Sequence, residues 1–333
     1  MKSIPLNRKS SADIAKGKLQ VLTLSEDQVK KLLAPQALFA GLEEGFKSLS
    51  RGEVQIPERP EIAIPGKGFI LAMPAYQAGM QASVKMVCVF EGNLSIGLPN
   101  HLAVINLFDP ENGKPVCIMD GTYITAIRTS ASAILSTKLL SRPTSKTATI
   151  MGAGVQGREH LRLLPMVRDL KKIFIGSLHF DDAESLAASS DIAVPVSDFE
   201  TAVRQSDIVC LCSHSYHPII ESTWVKPGSH VSSVGFAPPE GELPKELAQQ
   251  HNLFVETRDS FKQPPVGCAE LSGLDPNSGT ELGEVLSGIR PGRKSDSEIT
   301  VYKAMGIAME DMVAANLAYQ QAIEEGVGTY VVL

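Results

Sequence analysis

The chain has 333 residues, 43% of them hydrophobic and 20% charged, with a formal net charge of -6. This is ordinary globular usage, which suggests neither disorder nor a membrane protein, and the length predicts about two domains. The acidic balance, without a Lys/Arg run, offers nothing attractive to nucleic acid or anionic lipid and points to a small-molecule partner.

Met1 to Lys18 is polar and basic with no apolar stretch, so it reads as a loose arm rather than a signal peptide or anchor. The five cysteines are odd in number, scattered and mostly inside apolar runs, as expected of reduced core residues in a cytoplasmic protein. Cys210 and Cys212 stand one residue apart, which is not the spacing of zinc or redox motifs, and no metal is expected. Ser25 is placed to cap a helix carrying Val29, Leu32 and Leu33, and a second helix is predicted from Gln36 to Leu49. Short β-rich segments then alternate with Pro and Gly: Glu61 to Ile64, Phe69 to Met73, Ser83 to Phe90, Leu102 to Phe108 and Pro115 to Met119. They predict a mostly antiparallel sheet, its last two strands joined through Asn112-Gly113.

From Thr125 the texture changes. A long Ala/Ser/Leu helix runs to Leu140 and stops at Arg142-Pro143, after which strands alternate with helices. Strands are predicted at Thr147 to Met151, Lys172 to Gly176, Ile192 to Val196, Asp207 to Cys212, His230 to Gly235 and Leu253 to Glu256. Helices are predicted at Val155 to Leu164, Ala183 to Ala188 and Asp198 to Arg204, and a final helical signal runs from about Ser297 to Glu325. The fold class is therefore α/β: a Rossmann-type doubly wound parallel sheet with a second, α+β domain.

Gly152, Gly154 and Gly157 fit G-x-G-x-x-G between a buried strand and an amphipathic helix, the setting in which each glycine has a task. Gly152 permits a tight turn, Gly154 lets backbone approach a pyrophosphate, and Gly157 lets helix pack on strand. Val155 and Gln156 open the helix, whose free N–H groups face the anion. The predicted cofactor is NAD(H) or NADP(H). The carboxylate expected at the end of the second strand is missing, because Gly176 is followed by Ser177, Leu178 and His179. Ser177 and His179 are candidates for contacting a 2′-phosphate, or else plain loop residues, and Asp181 or Asp182 would substitute if the loop folds back. Ser213 and Gly235 follow strands predicted to end at the cofactor crevice.

Several motifs together resemble the ornithine cyclodeaminase/μ-crystallin family: Val84-Lys85-Met86-Val87, Leu107-Phe108-Asp109, Met119-Asp120-Gly121, Thr125-Ala126-Ile127-Arg128-Thr129, the glycine loop, Leu282-Gly283-Glu284-Val285, Pro291-Gly292-Arg293 and Thr300 to Ala308. The resemblance covers nearly the whole chain. It implies a substrate-binding and dimerisation domain over 1–124, completed by a C-terminal helix at 312–333, with the Rossmann domain at 125–311 and Thr129 beside the cofactor. It also implies a homodimer, and a substrate carboxylate held by Arg59, Lys85 and Arg128. On chemistry alone, Arg128 in an uncharged helix suits bidentate carboxylate binding or a structural ion pair. Lys85 interrupts an apolar strand and would need an anionic partner if buried, or else snorkel from a sheet edge. Arg59 stands between Pro57 and Pro60.

The sequence departs from the cyclodeaminase pattern twice, with Ala237 and Leu71 where catalytic carboxylates are expected. Glu240 and Glu242 lie near enough to compensate in part. The expected activity is therefore NAD(P)H-dependent reduction of a cyclic or acyclic α-imino acid to an amino acid, or the reverse, with Lys85 as the acid. Ornithine cyclisation, and binding of NAD(P) and a small acid without turnover as in μ-crystallins, are the alternatives.

Overall fold

The computed structural model describes residues 19–333; the N-terminal arm expected at Met1 to Lys18 lies outside them. Strand β1 (Gln20–Leu24) leads into helices α1 (Glu26–Leu32) and α2 (Pro35–Ser50). Ser25 caps α1 as predicted, its hydroxyl accepting from Gln28 N while the Gln28 side chain returns to Ser25 N, so two orphan donors are satisfied together. Strands β2 (Val54–Gln55), β3 (Glu61–Ile64), β4 (Gly68–Gln77), β5 (Ala82–Phe90), β6 (His101–Phe108) and β7 (Pro115–Asp120) follow, then the long helix α3 (Thr122–Leu140).

Alternation then sets in: β8 (Thr147–Met151), α4 (Val155–Leu163), β9 (Lys172–Gly176), α5 (Phe180–Ala187), β10 (Ala193–Val196), α6 (Phe199–Gln205), β11 (Ile208–Leu211), β12 (His230–Ser233), α7 (Lys245–Gln250), β13 (Asn252–Val255), β14 (Gly279–Glu281) and α8 (Leu282–Leu286). The chain closes with β15 (Thr300–Lys303), α9 (Ala308–Glu325) and β16 (Thr329–Val332).

Two sheets result. In the first, β16-β1-β7-β6-β5-β4-β2 lie side by side with β3 on β4, and every pairing is antiparallel except β1 with β7. The second runs β10-β9-β8-β11-β12-β15-β13-β14, parallel throughout, which gives the doubly wound α/β sheet. Helix α9 returns from the second sheet to pack on β4, β5 and β6 and on α2 and α3, so the end of the chain closes the inner face of the first sheet.

Two expectations are corrected. The helical signal from Ser297 belongs to α9 only from Ala308 onward, because Thr300-Val301-Tyr302-Lys303 is a fully buried strand between β12 and β13. A β-branched and aromatic run fits a pleated interior better than a helix, and Gly306 at φ 76° breaks the chain between the two elements. The C-terminal helix expected at 312–333 stops at Glu325, Gly326 turning the chain into β16, which pairs with β1. Strands β1 and β16, for which no strand was expected, owe their existence to pairing with each other and with β7.

Candidate active site

Lys85 occupies the middle of β5, opposite Met73 on β4 and Ile105 on β6, and Ile105 in turn faces Met119 on β7. All four point to the face covered by α9, and Lys85 is 1% exposed. It lies neither at a sheet edge nor in reach of solvent, so its ammonium requires a partner. That partner is Asp311 in the first turn of α9, with Nζ 2.7 Å from Oδ2. Burial is the main reason the Lys85 ammonium is pulled down to about 8; the Arg128 charge adds to this, and Asp311 opposes it.

Arg128 points from α3 to the same place. Its Nε donates to Asp311 Oδ1 at 2.9 Å and its Nη1 to Glu310 Oε2 at 2.7 Å. Gly306, whose φ of 76° already favours glycine, also packs against this guanidinium: a Cβ there would stand 2.9 Å from Arg128 Nη2. Burial works against the cation, yet Asp311, Glu310 and Glu256 together hold it above its ordinary value. Glu310 is fully buried and driven well above the usual carboxylate range, by burial first and then by Glu256. Arg59 comes from the loop before β3 and donates to the carbonyls of Val266 and Gly306 at 3.0 and 3.5 Å, and among the described residues no carboxylate bonds it. Glu256 follows β13 and accepts from the N–H groups of Met305 and Gly306 at 3.0 and 3.1 Å.

The structure thus brings Arg59, Lys85 and Arg128 together, as the sequence led one to expect. It adds three carboxylates that sequence reasoning missed: Glu256, Glu310 and Asp311. The available signal was the Glu310-Asp311 pair within the apolar helix Ala308 to Ala318, where two adjacent acids in the first turn also suit the helix dipole. Leu71 and Ala237, at the positions lacking carboxylates, are buried and apolar, and Leu71 shares the face of Lys85.

The glycine loop lies at the carboxyl end of β8. Gly152 adopts φ 119°, and a Cβ on it would meet the Cys212 carbonyl carbon at 2.7 Å, so only glycine makes this turn. A Cβ on Gly157 would collide with the Gly152 carbonyl, whereas one on Gly154 meets nothing within 4 Å. Gly154 is the N-cap of α4, and no side chain caps the helix. Uncapped N–H groups beside open space suit the diphosphate of a dinucleotide, so these residues fit the expected cofactor. Val155, the first helical residue, is 59% exposed there.

Other expected cofactor residues are placed less simply. The Gln156 side chain turns to α3, where its Oε1 accepts from Ser130 at 2.8 Å, and Thr129 is buried on the same helix. Ser177 and His179 bracket the exposed Leu178 past β9, and His179 is the N-cap residue of α5, with Asp181 and Asp182 in that helix's first turn. Ser213 and Gly235 do follow β11 and β12, but their backbone N–H groups are taken by Glu242, at 2.6 and 2.7 Å. Glu242 also accepts from the hydroxyls of Ser213 and Ser233, which occupies the carboxylate considered above as a replacement. Glu240 instead accepts from His217 at 2.7 Å in an exposed pair. Lys303 supports the same loop from below, donating to Gly235 O at 2.6 Å and pairing with Glu270 at 2.7 Å.

The family model described as ornithine cyclodeaminase/mu-crystallin matches residues 20–326. The ketimine reductase mu-crystallin of Mus musculus is 36% identical over 304 residues, which cover 89% of this chain and 96% of that protein. Among solved structures, the Δ(1)-pyrroline-2-carboxylate reductase of Thermococcus litoralis in complex with NADH and L-proline is similar at a TM-score of 0.87 and 33% identity, covering 93% of this chain and all of that one. An archaeal alanine dehydrogenase dimer with bound NAD also gives 0.87, at 27% identity, covering 94% of this chain and 99% of its own.

Proposed function

The chain belongs to the ornithine cyclodeaminase/mu-crystallin family, and on that premise we propose how its site performs the chemistry. It is an NAD(P)-dependent oxidoreductase that interconverts an α-imino acid and an amino acid. The observation that carries the reading is the convergence of half-buried Arg59 on the buried cations Lys85 and Arg128.

Arg59 and Arg128 hold the substrate carboxylate, Arg59 being the cation that no acid bonds among the described residues. A dinucleotide whose diphosphate rests on the Gly152 to Gly157 loop would, when bound, supply hydride chemistry through its nicotinamide. As a C–H bond forms at the imine carbon, the C=N π pair moves to nitrogen, and Lys85 delivers the proton that nitrogen needs. An ammonium pulled down to about 8 is a stronger acid than an ordinary lysine and is still charged at neutral pH. Near-complete burial of Lys85 and Arg128 keeps water away. Leu71 and Met73 beside Lys85 favour a substrate side chain without positive charge.

In this reading residues 125–311 bind the cofactor, with Thr129, Gly152, Gly154, Val155, Gln156, Gly157, Ser177, His179, Ser213 and Gly235 around it. Residues 1–124 with 312–333 bind substrate and dimerise. No described helix is long and apolar enough to cross a membrane, and we place the enzyme in the cytoplasm. The outer face of the first sheet presents Val84, Met86, Val104 and Ile118 half-buried or exposed, opposite the α9 side, and a second copy of the chain is the occupant we assign to it. Light scattering at micromolar concentration tests this: a monomer refutes it.

The decisive experiment is a panel of cyclic imino acids and 2-oxo acids mixed with ammonia or amines, assayed with NADH and with NADPH. Cofactor oxidation with one class supports the reading. Binding without oxidation across the panel replaces it with a non-catalytic binding protein.

A further inference from the structure

The site contains three cations, Arg59, Lys85 and Arg128, and three carboxylates, Glu256, Glu310 and Asp311, all drawn into one buried cluster. If all six are charged the cluster is neutral before any substrate arrives. A substrate carboxylate would then bring an unbalanced negative charge into a low-dielectric interior, which is strongly disfavoured. One of the three acids must give way, and the geometry distinguishes them.

Asp311 is pinned between Lys85 and Arg128, with a cation on each oxygen. Glu256 receives two backbone N–H groups, from Met305 and Gly306. Glu310 has only one cation among the described residues, Arg128, on Oε2; Glu310 Oε1 and Asp311 Oδ2 are both buried without a hydrogen bond, but Asp311 Oδ2 has the Lys85 ammonium at 2.7 Å whereas Glu310 Oε1 has no cation. A buried carboxylate oxygen facing neither a cation nor a donor has nothing to compensate its charge, so the neutral acid is the form favoured there.

We infer that Glu310 is the positioning residue that admits the substrate: the carboxylate binds only while Glu310 is neutral, leaving the Arg128 guanidinium to serve the incoming acid. This deepens the function proposed above and rests on it. The groups that face Glu310 come from every element around it. Arg128 and the Ser132 hydroxyl stand on α3, Tyr302 on β15 bonds Ser132 at 2.7 Å, Glu256 lies past β13, Asp311 is its neighbour on α9, and the Lys85 charge is felt from β5. Burial and the repulsion of Glu256 both favour the neutral acid, in agreement with the geometry.

The probe is pyrrole-2-carboxylate, a planar acid that cannot accept hydride, titrated into the wild-type enzyme and E310Q between pH 5 and 10. In the wild type its Kd is flat at low pH and rises by up to tenfold per unit where the empty site loses the Glu310 proton. In E310Q, fixed in the neutral form, that rise disappears and only the loss of the Lys85 charge near 8 remains. The KM of the reducible substrate follows the same split, while kcat does not carry it. An E310Q profile that keeps the wild-type slope overturns the inference.

Infrared difference spectra of the wild-type complex at pH 7 give a second readout that requires no variant. The C=O stretch of a buried protonated carboxyl supports the inference, and a complex without that band overturns it. A wild-type enzyme that binds no planar carboxylate at all instead refutes the proposed function, a different and separable result.

Discussion

Replacing Gly154 or Gly157 by alanine separates the two tasks of the glycine loop. At Gly154 the backbone already has φ -77°, which alanine adopts without strain, and the new methyl meets no atom of the described residues within 4 Å. The free protein should melt where the wild type does, or slightly higher through the smaller entropy of its unfolded chain. The methyl does stand where a diphosphate would approach the α4 N-terminus. Loss of one hydrogen bond to a charged group is worth about 1.5–3 kcal/mol, so coenzyme Kd should rise roughly 10- to 100-fold. At Gly157 the methyl strikes the Gly152 carbonyl, whose carbon would be 2.9 Å away, so α4 must move off β8. Overpacking of this kind costs about 1–3 kcal/mol, equivalent to roughly 1–2 °C of melting temperature per kcal/mol for a chain of 333 residues. The assay is quenching or enhancement of NADH and NADPH fluorescence, with a thermal melt of each variant. G154A protein that binds coenzyme as tightly as the wild type, or that melts as low as G157A, would refute the reasoning.

Lys85 is charged below about 8, so if it is the acid, kcat for imine reduction, which does not carry the Glu310 dependence, should be level below that pH and fall towards tenfold per unit above it; a K85R enzyme with the same break would show that the titrating group lies elsewhere. Truncating Arg128 to Met leaves Glu310 and Asp311 buried without their guanidinium, so the protein should lose about 3–5 kcal/mol in denaturant titrations. R59A removes a cation that, among the described residues, is bonded only to carbonyls, and should act mainly through KM, roughly 10- to 100-fold; equal destabilisation by the two changes would count against the assignment. Buried His160 and His230 are held neutral, at about 4 and about 3, chiefly by burial. Because the unfolded chain binds these protons near pH 6.5 and the folded chain does not, their stabilising effect is complete above about 6.5 and is lost as pH falls towards 4. Two such groups correspond to about 2–3 kcal/mol per pH unit, and a denaturation midpoint unchanged between pH 7 and 5 would disprove it.

What could be read from the sequence follows the range of the interactions involved. The cap at Ser25, the strand-glycine-helix unit at Thr147 to Leu163 and the antiparallel ladder from Glu61 to Met119 are set by neighbours within a few residues, and each forms where expected. Strand β15 was hidden because Thr300 to Lys303 joins a helical pattern and becomes a strand only by insertion between β12 and β13. Lys85 and Arg128 were visible as charges in apolar elements, a pattern that demands partners without naming them. Asp311 is 183 residues from Arg128 in sequence, and no local rule connects the two.

That separation explains why the site and the fold cannot be assembled independently. Lys85 sits in a row with Met73, Ile105 and Met119, and an ammonium there is tolerable only once α9 has delivered Asp311. Arg128 has the same requirement, and it meets the same carboxylate from another helix. Docking of α9 therefore closes the hydrophobic face of the first sheet and neutralises the cations in one event, which makes the empty site stable. The consequence for function is a competition: the acids that stabilise the empty cluster are those a substrate carboxylate must outbid for Arg128. Of these acids, Asp311 cannot be released without exposing two cations at once, whereas Glu310 can be silenced by a single proton, so tight burial and ready exchange of ligands are reconciled at that one residue.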